Sequence, residues 1–362
     1  MDLTPYKREK YDAFMGLAPK HLPHWEHWSN PDAETYITGI DAYDHPKLCR
    51  ERMLELYPRL DLAIPKDDAP IARPTGDDIC HGTVRWGAGQ TGTFIHGEQI
   101  FKNAEDVFNF SPLEHADMTD WGFVVEHYDF SSMETIEKRF EVSFPKPWGE
   151  PEPFSARGVG FYNTTFMWPL LTFGWELFLE CCLDERFERV MDEFAEINRH
   201  LFSVYAKLPV KFVTCHDDIV TTRGPVCSPE WMHKYVFPRY EEYWGMLKAA
   251  GKRVIFMADG CMDQYADDVF ACGANGIISE PYTDYKTIAK KHKDCFLAGE
   301  GDNRILKRNN PAEISDMVDR MVETSKLSGG YMMCIGNHIP WDIPGEAIKL
   351  YLDLAQERAV RT

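Results

Sequence analysis

The chain has 362 residues, with 39 basic and 58 acidic side chains and a formal charge of −19. A net charge of that size argues against a nucleic-acid or anionic-membrane binder, because such binding depends on Lys and Arg neutralising phosphate. With 44% apolar and 27% charged residues, the composition is that of a globular protein and excludes a disordered chain. The length fits one large or two medium domains.

No membrane span is expected. The most apolar window, Phe166 to Leu183, is interrupted by Pro169, Gly174, Glu176 and Glu180, and a spanning helix needs roughly 20 mostly apolar residues. The first residues, MDLTPYKREKYDAF, carry no apolar core after their basic residues, so no secretion signal is expected. The 10 cysteines are therefore read as reduced thiols. None forms a CxxC pair, and a cytoplasmic enzyme is the expectation.

Residues 1–58 read as helices and loops, an N-terminal extension packed on a single domain at 59–362. The run Leu60–Ile64 reads as a strand closed by Pro65. Residues 83–101 alternate around glycines and suggest a hairpin that contains Trp86 and Phe94. Val142–Pro153 is proline-rich and reads as a loop.

From residue 155 onward, apolar strands alternate with amphipathic helices. The strands are Arg157–Tyr162, Val210–Cys215, Arg253–Met257, Gly276–Ser279, Cys295–Ala298 and Tyr331–Ile335. Between them, Ser228-Pro229 supplies an N-cap and a first-turn proline. Tyr240, Tyr243, Trp244 and Leu247 then form an apolar stripe that ends at Gly251, with a kink expected at Pro238. Asn310-Pro311-Ala312-Glu313 is a capping-box variant ahead of Ile314, Met317, Val318 and Met321. Ile348, Tyr351, Leu352 and Ala355 repeat that spacing. Seven or eight parallel strands alternating with helices predict an α/β fold, a (β/α)8 TIM barrel with an N-terminal helical and hairpin elaboration. A doubly wound open sheet is the other reading, although the glycine-rich turn it would carry after its first strand is missing.

A barrel places its chemistry at the C-terminal ends of its strands. Those ends carry His216-Asp217-Asp218, Asp259-Gly260-Cys261, Glu280, Glu300-Gly301-Asp302-Asn303, and Cys334 with Asn337-His338. Any one of these could be a helix cap. Together they crowd carboxylates into one rim, which a cation, a proton or a basic ligand must offset. Tyr162, Asn163 and Trp168 follow an earlier strand, and with Phe94 they could supply a flat apolar slot.

Three segments carry a family resemblance. His216 to Glu230 resembles the DDLGxQxGPxxSPE segment of the uroporphyrinogen decarboxylase superfamily. Lys252 to Gly260 resembles its next strand, and Asn337 to Pro344, with Glu346, resembles its closing GHxIPxDTPxEN segment. The spacing agrees over about residues 155–360. The resemblance implies the barrel. The arginine-rich N-terminal motif that meets porphyrinogen carboxylates in the decarboxylases is missing, which argues against that substrate. In the thiol-methylating branch, zinc is held by a His-x-Cys pair. Met257 and Asp259 stand in those positions here.

The other branch takes methyl groups from small donors, notably aromatic methyl ethers, and passes them to Co(I) of a separate corrinoid protein. Its members resemble this chain in length and in the YNTTFMWPLLTFGWELF style of segment at Tyr162 to Phe178. The resemblance therefore implies a corrinoid-dependent methyltransferase of the O-demethylase type. Its corrinoid would belong to a partner, since no DxHxxG motif is present. Transfer from a methylcorrinoid to tetrahydrofolate, and a barrel that binds a small molecule without turnover, are the alternatives. Expected site residues are Glu280, Glu300 and Asp218 for catalysis. His216, Asp217, Tyr162, Asn163, Trp168 and Phe94 are expected to bind substrate, and Asp259, Glu280 and His338 to hold zinc. The expected partners are the corrinoid protein and a small aromatic methyl donor, with no nucleic acid and no membrane. A homodimer stays open.

Overall fold

The computed structural model describes residues 5–73, 94–95, 98–114, 159–162, 165–207 and 211–361. Eight of its strands form one parallel series and are numbered here in chain order. They are β1 His24–Trp25, β2 Leu60–Asp61, β3 Val159–Tyr162, β4 Phe212–His216, β5 Arg253–Met257, β6 Gly276–Ile278, β7 Phe296–Ala298 and β8 Gly330–Met332. The last six make one sheet in the order β8-β7-β6-β5-β4-β3. β1 pairs with β2 through His24↔Leu60 and Trp25↔Asp61. A parallel bridge, His24↔Met333, sets β1 beside the end of β8. There the Trp25 N–H donates to the Met333 carbonyl at 3.0 Å, and the Met333 N–H donates to Pro23 at 2.8 Å. The chain is an α/β protein built on a central parallel sheet.

β2 to β8 fall where the sequence predicts strands. β1 does not: residues 1–58 read as an extension, yet they supply a strand between β8 and β2. The proposed boundary between 58 and 59 lies in the turn that leads into β2, and the pairing of β1 with β2 crosses it. The reason is physical. Two residues, one of them a buried histidine, give no apolar run for periodicity to detect. The hairpin expected at 83–101 is present at its end, where Phe94–Ile95 pairs antiparallel with Glu98–Gln99. Trp86 and the loop at Val142–Pro153 lie outside the described residues.

Side chains alternate along each strand, and the two faces differ. Val213, Cys215, Phe256, Ile277, Leu297 and Met333 join the large core that also takes in the helices after β4, β5 and β8. The opposite face is narrower. Phe212, Ile255, Phe296, Ala298, Met332 and Cys334 cluster there with Ala13 and Phe14 of the N-terminal helix Pro5–Phe14. The Phe14 ring stacks on Phe212 and on Phe296, each at 4.3 Å between centroids. A flat sheet would hold β4 and β7, three strands apart, at about 14 Å. One ring can touch both only because the sheet curls around it.

The helices follow their sequence signals. The Ser228 side chain accepts the Trp231 N–H ahead of the helix Pro229–Tyr235. A second helix, Phe237–Ala249, starts after Val236 with Pro238 in its first turn, so the expected kink is a break. Asn310 accepts the N–H groups of Ala312 and Glu313 and caps Pro311–Ser325, which buries Ile314, Met317, Val318 and Met321. The nine described cysteines are free thiols. Among the described residues, no helix is long and apolar enough to cross a membrane.

Candidate functional site

Register decides which strand-end residues share a face. Tyr162, His216, Met257, Ile278, Ala298 and Met332 stand in one row across β3 to β8. Counting two residues further, to the next position on the same face, reaches Asp218, Asp259, Glu280, Glu300 and Cys334. Three of these carboxylates gather. His216 Nε2 lies 3.0 Å from Asp218 Oδ1, and the same oxygen accepts the Asp259 backbone N–H at 2.8 Å. One donor atom each from His216, Asp218 and Asp259 lies within 4.8 Å of the others. Glu280 joins through Asn337, whose Nδ2 donates to Asp259 Oδ2 at 3.2 Å and to Glu280 Oε1 at 3.5 Å.

Asn337 comes from the segment after β8, so its contacts with the ends of β5 and β6 again require a curled sheet. On its other side, Asn337 Oδ1 accepts the His338 N–H at 2.8 Å and lies 3.1 Å from the His338 ring Nδ1. The His338 ring is 5.5 Å from that of His27, just beyond β1. Buried Glu26 ties these two strand ends together. It accepts the Ile335 N–H at 3.1 Å and the Tyr351 hydroxyl at 2.7 Å, and it lies 2.8 Å from His24 Nε2.

The charges in this cluster perturb one another. Burial, then the charge of Asp259, pushes the Glu280 carboxyl up to about 7. Burial, then the charge of Asp218, pushes Asp259 up to about 6. For His216, burial works against the imidazolium, but the hydrogen bond and charge of Asp218 outweigh it and raise the pKa. Burial lowers both His338 and His27, and in His27 the nearby His338 adds to the effect.

The structure regroups the expected residues. Asp259 sits with His216 and Asp218, and not directly with Glu280 and His338, which reach it through Asn337. Asp217 is fully buried. It accepts the N–H groups of Phe166 at 3.2 Å and Met167 at 2.8 Å, and the Tyr240 hydroxyl at 2.7 Å. It thereby caps the helix Met167–Phe173. Trp168, on that helix, is fully buried in the core.

Tyr162 pairs with His216 through the backbone, and Phe94 lies in the short hairpin; the side chains of both are outside what the structure describes. Asn163 lies outside the described residues.

Glu300 is turned away from this cluster. It accepts the Tyr331 hydroxyl at 2.7 Å and the Thr324 hydroxyl at 3.1 Å, and it pairs with Arg320 at 3.2 Å. Tyr331 belongs to the helix-covered core. Gly299 explains the reversal. At φ +100 it breaks the strand alternation, and it packs so closely that a Cβ there would stand 1.8 Å from the Ser279 carbonyl oxygen. The sequence puts no cation beside Glu300; the fold supplies Arg320.

Asn337 as a contact and His27 were not singled out from the sequence. The only signal for Asn337 was its place at the head of the segment Asn337–Pro344. One imidazole and two carboxylates within mutual reach form a donor set that suits a divalent cation such as zinc with a position left open. No protein-family model matches the chain, and no curated protein matches it.

Proposed function

We propose that this chain is a (β/α)8-barrel methyltransferase that moves a methyl group from a small aromatic methyl ether to Co(I) of a separate corrinoid protein. The barrel reading rests on the parallel series β2-β1-β8-β7-β6-β5-β4-β3, on its curl around Phe14, and on the large helix-bearing core being confined to one face of β4–β8. A doubly wound sheet would carry helices on both faces. In the barrel, β2 and β3 are the pair that would close the ring.

One observation carries the functional reading. The three segments that resemble the uroporphyrinogen decarboxylase superfamily meet in a single cluster. Asp218 comes from the first, Asp259 from the second and Asn337 from the third, and hydrogen bonds join them in that order.

Ether cleavage needs a better leaving group than the bare aryl oxide, whose conjugate acid has a pKa of roughly 10. Glu280 is held near neutrality by burial and by Asp259, so it can carry a proton to the ether oxygen. The methyl carbon passes from oxygen to cobalt, which supplies the electron pair of the new bond. The pair of the broken C–O bond stays on oxygen and takes the Glu280 proton. His216, Asp218 and Asp259 would hold zinc, which when bound supplies Lewis acidity toward the same oxygen. The donor is aromatic in this reading, and the partner is a corrinoid protein.

The test is spectrophotometric. Purified protein is mixed with Co(I) cobalamin and a panel of methoxyaromatics, and the Co(I) absorption is followed. Conversion to methylcobalamin with at least one donor is the expected result. No conversion, together with loss of methyl from methylcobalamin when tetrahydrofolate is added, would reverse the direction of transfer and overturn this reading.

A further inference from the structure

Asn337 has a backbone that its side chain does not explain. Its φ is +84, a region where glycine costs least and where asparagine is one of the few tolerated alternatives. For the turn alone, glycine would serve better. What asparagine adds is the amide. The orientation of that amide follows from chemistry: the atom facing the His338 N–H must be the oxygen, since a backbone N–H only donates. The Nδ2 group, with two hydrogens, is therefore the end that faces Asp259 Oδ2 and Glu280 Oε1. These two acceptors sit on successive strand ends. A donor between them fixes the rotation of each carboxyl group.

We propose that Asn337 is a positioning residue of this site: its amide sets the Asp259 carboxylate for a divalent cation shared with His216 and Asp218, and keeps Glu280 beside it. This rests on the cation-binding part of the proposed function and not on the methyl-transfer part. Partners that orient a metal ligand commonly contribute 10–100-fold to metal affinity.

The probe is Co2+ alone, titrated into the full chain and followed by its visible absorption, with competition by Zn2+. Asn337→Gly keeps the left-handed turn and removes only the amide. Asn309 provides the control, since it is also left-handed, at φ +50, but ends the helix Asn303–Arg308. The expected result is a 10–100-fold loss of Co2+ affinity in Asn337→Gly, with a cooperative thermal transition retained and with Asn309→Gly binding as the parent does. Equal affinity in the parent and Asn337→Gly, no Co2+ binding by the parent, or an equal loss in Asn309→Gly would each overturn the proposal. Absence of Co(I) methylation alongside a selective loss in Asn337→Gly would sink the methyltransferase reading and leave this one standing.

Discussion

Asp218 and Asp259 are joined by a backbone donor: the Asp259 N–H gives its hydrogen to Asp218 Oδ1 at 2.8 Å. The bond continues the pairing of β4 with β5 beyond its last pair, His216↔Met257, and sets Asp218 beside Asp259. Asp218→Asn keeps an oxygen for that N–H and removes one negative charge. Zn2+ or Co2+ affinity is expected to fall at least about tenfold, the scale on which metal sites respond to changes near their ligands. The thermal midpoint should hardly move, because the hydrogen bond survives. Isothermal titration beside a melting curve checks both halves, and a variant that binds metal as tightly as the parent would rule out Asp218 as a ligand.

As the acid of the proposed methyl transfer, Glu280 predicts the sign of its pH dependence. Burial, with Asp259 next in weight, raises this carboxyl to about 7. If the protonated form is the one that works, the rate of methyl transfer is full below that value and falls as pH rises through it. Glu280→Gln has no proton to give. Its rate should drop by roughly 10²–10⁴, the usual contribution of a positioned acid, and the remaining rate should no longer fall across pH 7. A parent rate that climbs through pH 7 would assign Glu280 the role of a base.

The contrast between Glu280 and Glu300 shows how much of the site was legible. Both end an apolar strand run, and both were expected at the rim from that signal alone. Asp218, Asp259 and Glu280 do converge, because strict alternation carries them to one face. Glu300 does not, because Gly299 reverses the strand just before it, and the φ of a glycine cannot be read from its neighbours. β2 to β8 were visible as apolar runs and the cap at Asn310 as a local pattern. β1 was not, since His24 and Trp25 pair through backbone atoms that leave no periodicity. Asn337 bridges two carboxylates 78 and 57 positions earlier in the chain, a contact that exists only once the sheet curls.

Phe14 should prove a main support of that curl. It is 5% exposed and its ring lies against both Phe212 and Phe296. Phe14→Ala removes the ring that lies against both strands and leaves only smaller or more distant members of the cluster between them. The expected cost is about 3–5 kcal/mol, typical for truncating a buried phenylalanine. Urea denaturation read by fluorescence checks it. A loss below about 1 kcal/mol would mean that the N-terminal helix is an ornament on a sheet that curls without it.

Replacing Gly299 should disturb the end of β7 and the setting of Glu300. Its φ of +100 is unfavourable for any residue with a Cβ, and the Ser279 carbonyl oxygen occupies the place that Cβ would take. Gly299→Ala must therefore either accept the strained backbone, at about 1–2 kcal/mol, together with a clash against main chain, or move β7 away from β6. The first route lowers stability by more than the backbone strain alone, because the atom in the way is main chain and not the end of a flexible side chain. The second route frees Glu300 from Tyr331, Thr324 and Arg320 and leaves buried partners unmatched. Either way the urea midpoint should fall, and the companion variant Tyr331→Phe, which deletes only the 2.7 Å hydroxyl bond to Glu300, should cost about 1–3 kcal/mol by the same measurement. If Gly299→Ala were as stable as the parent, the reversal before Glu300 would not depend on glycine, and the account given for the position of Glu300 would be wrong.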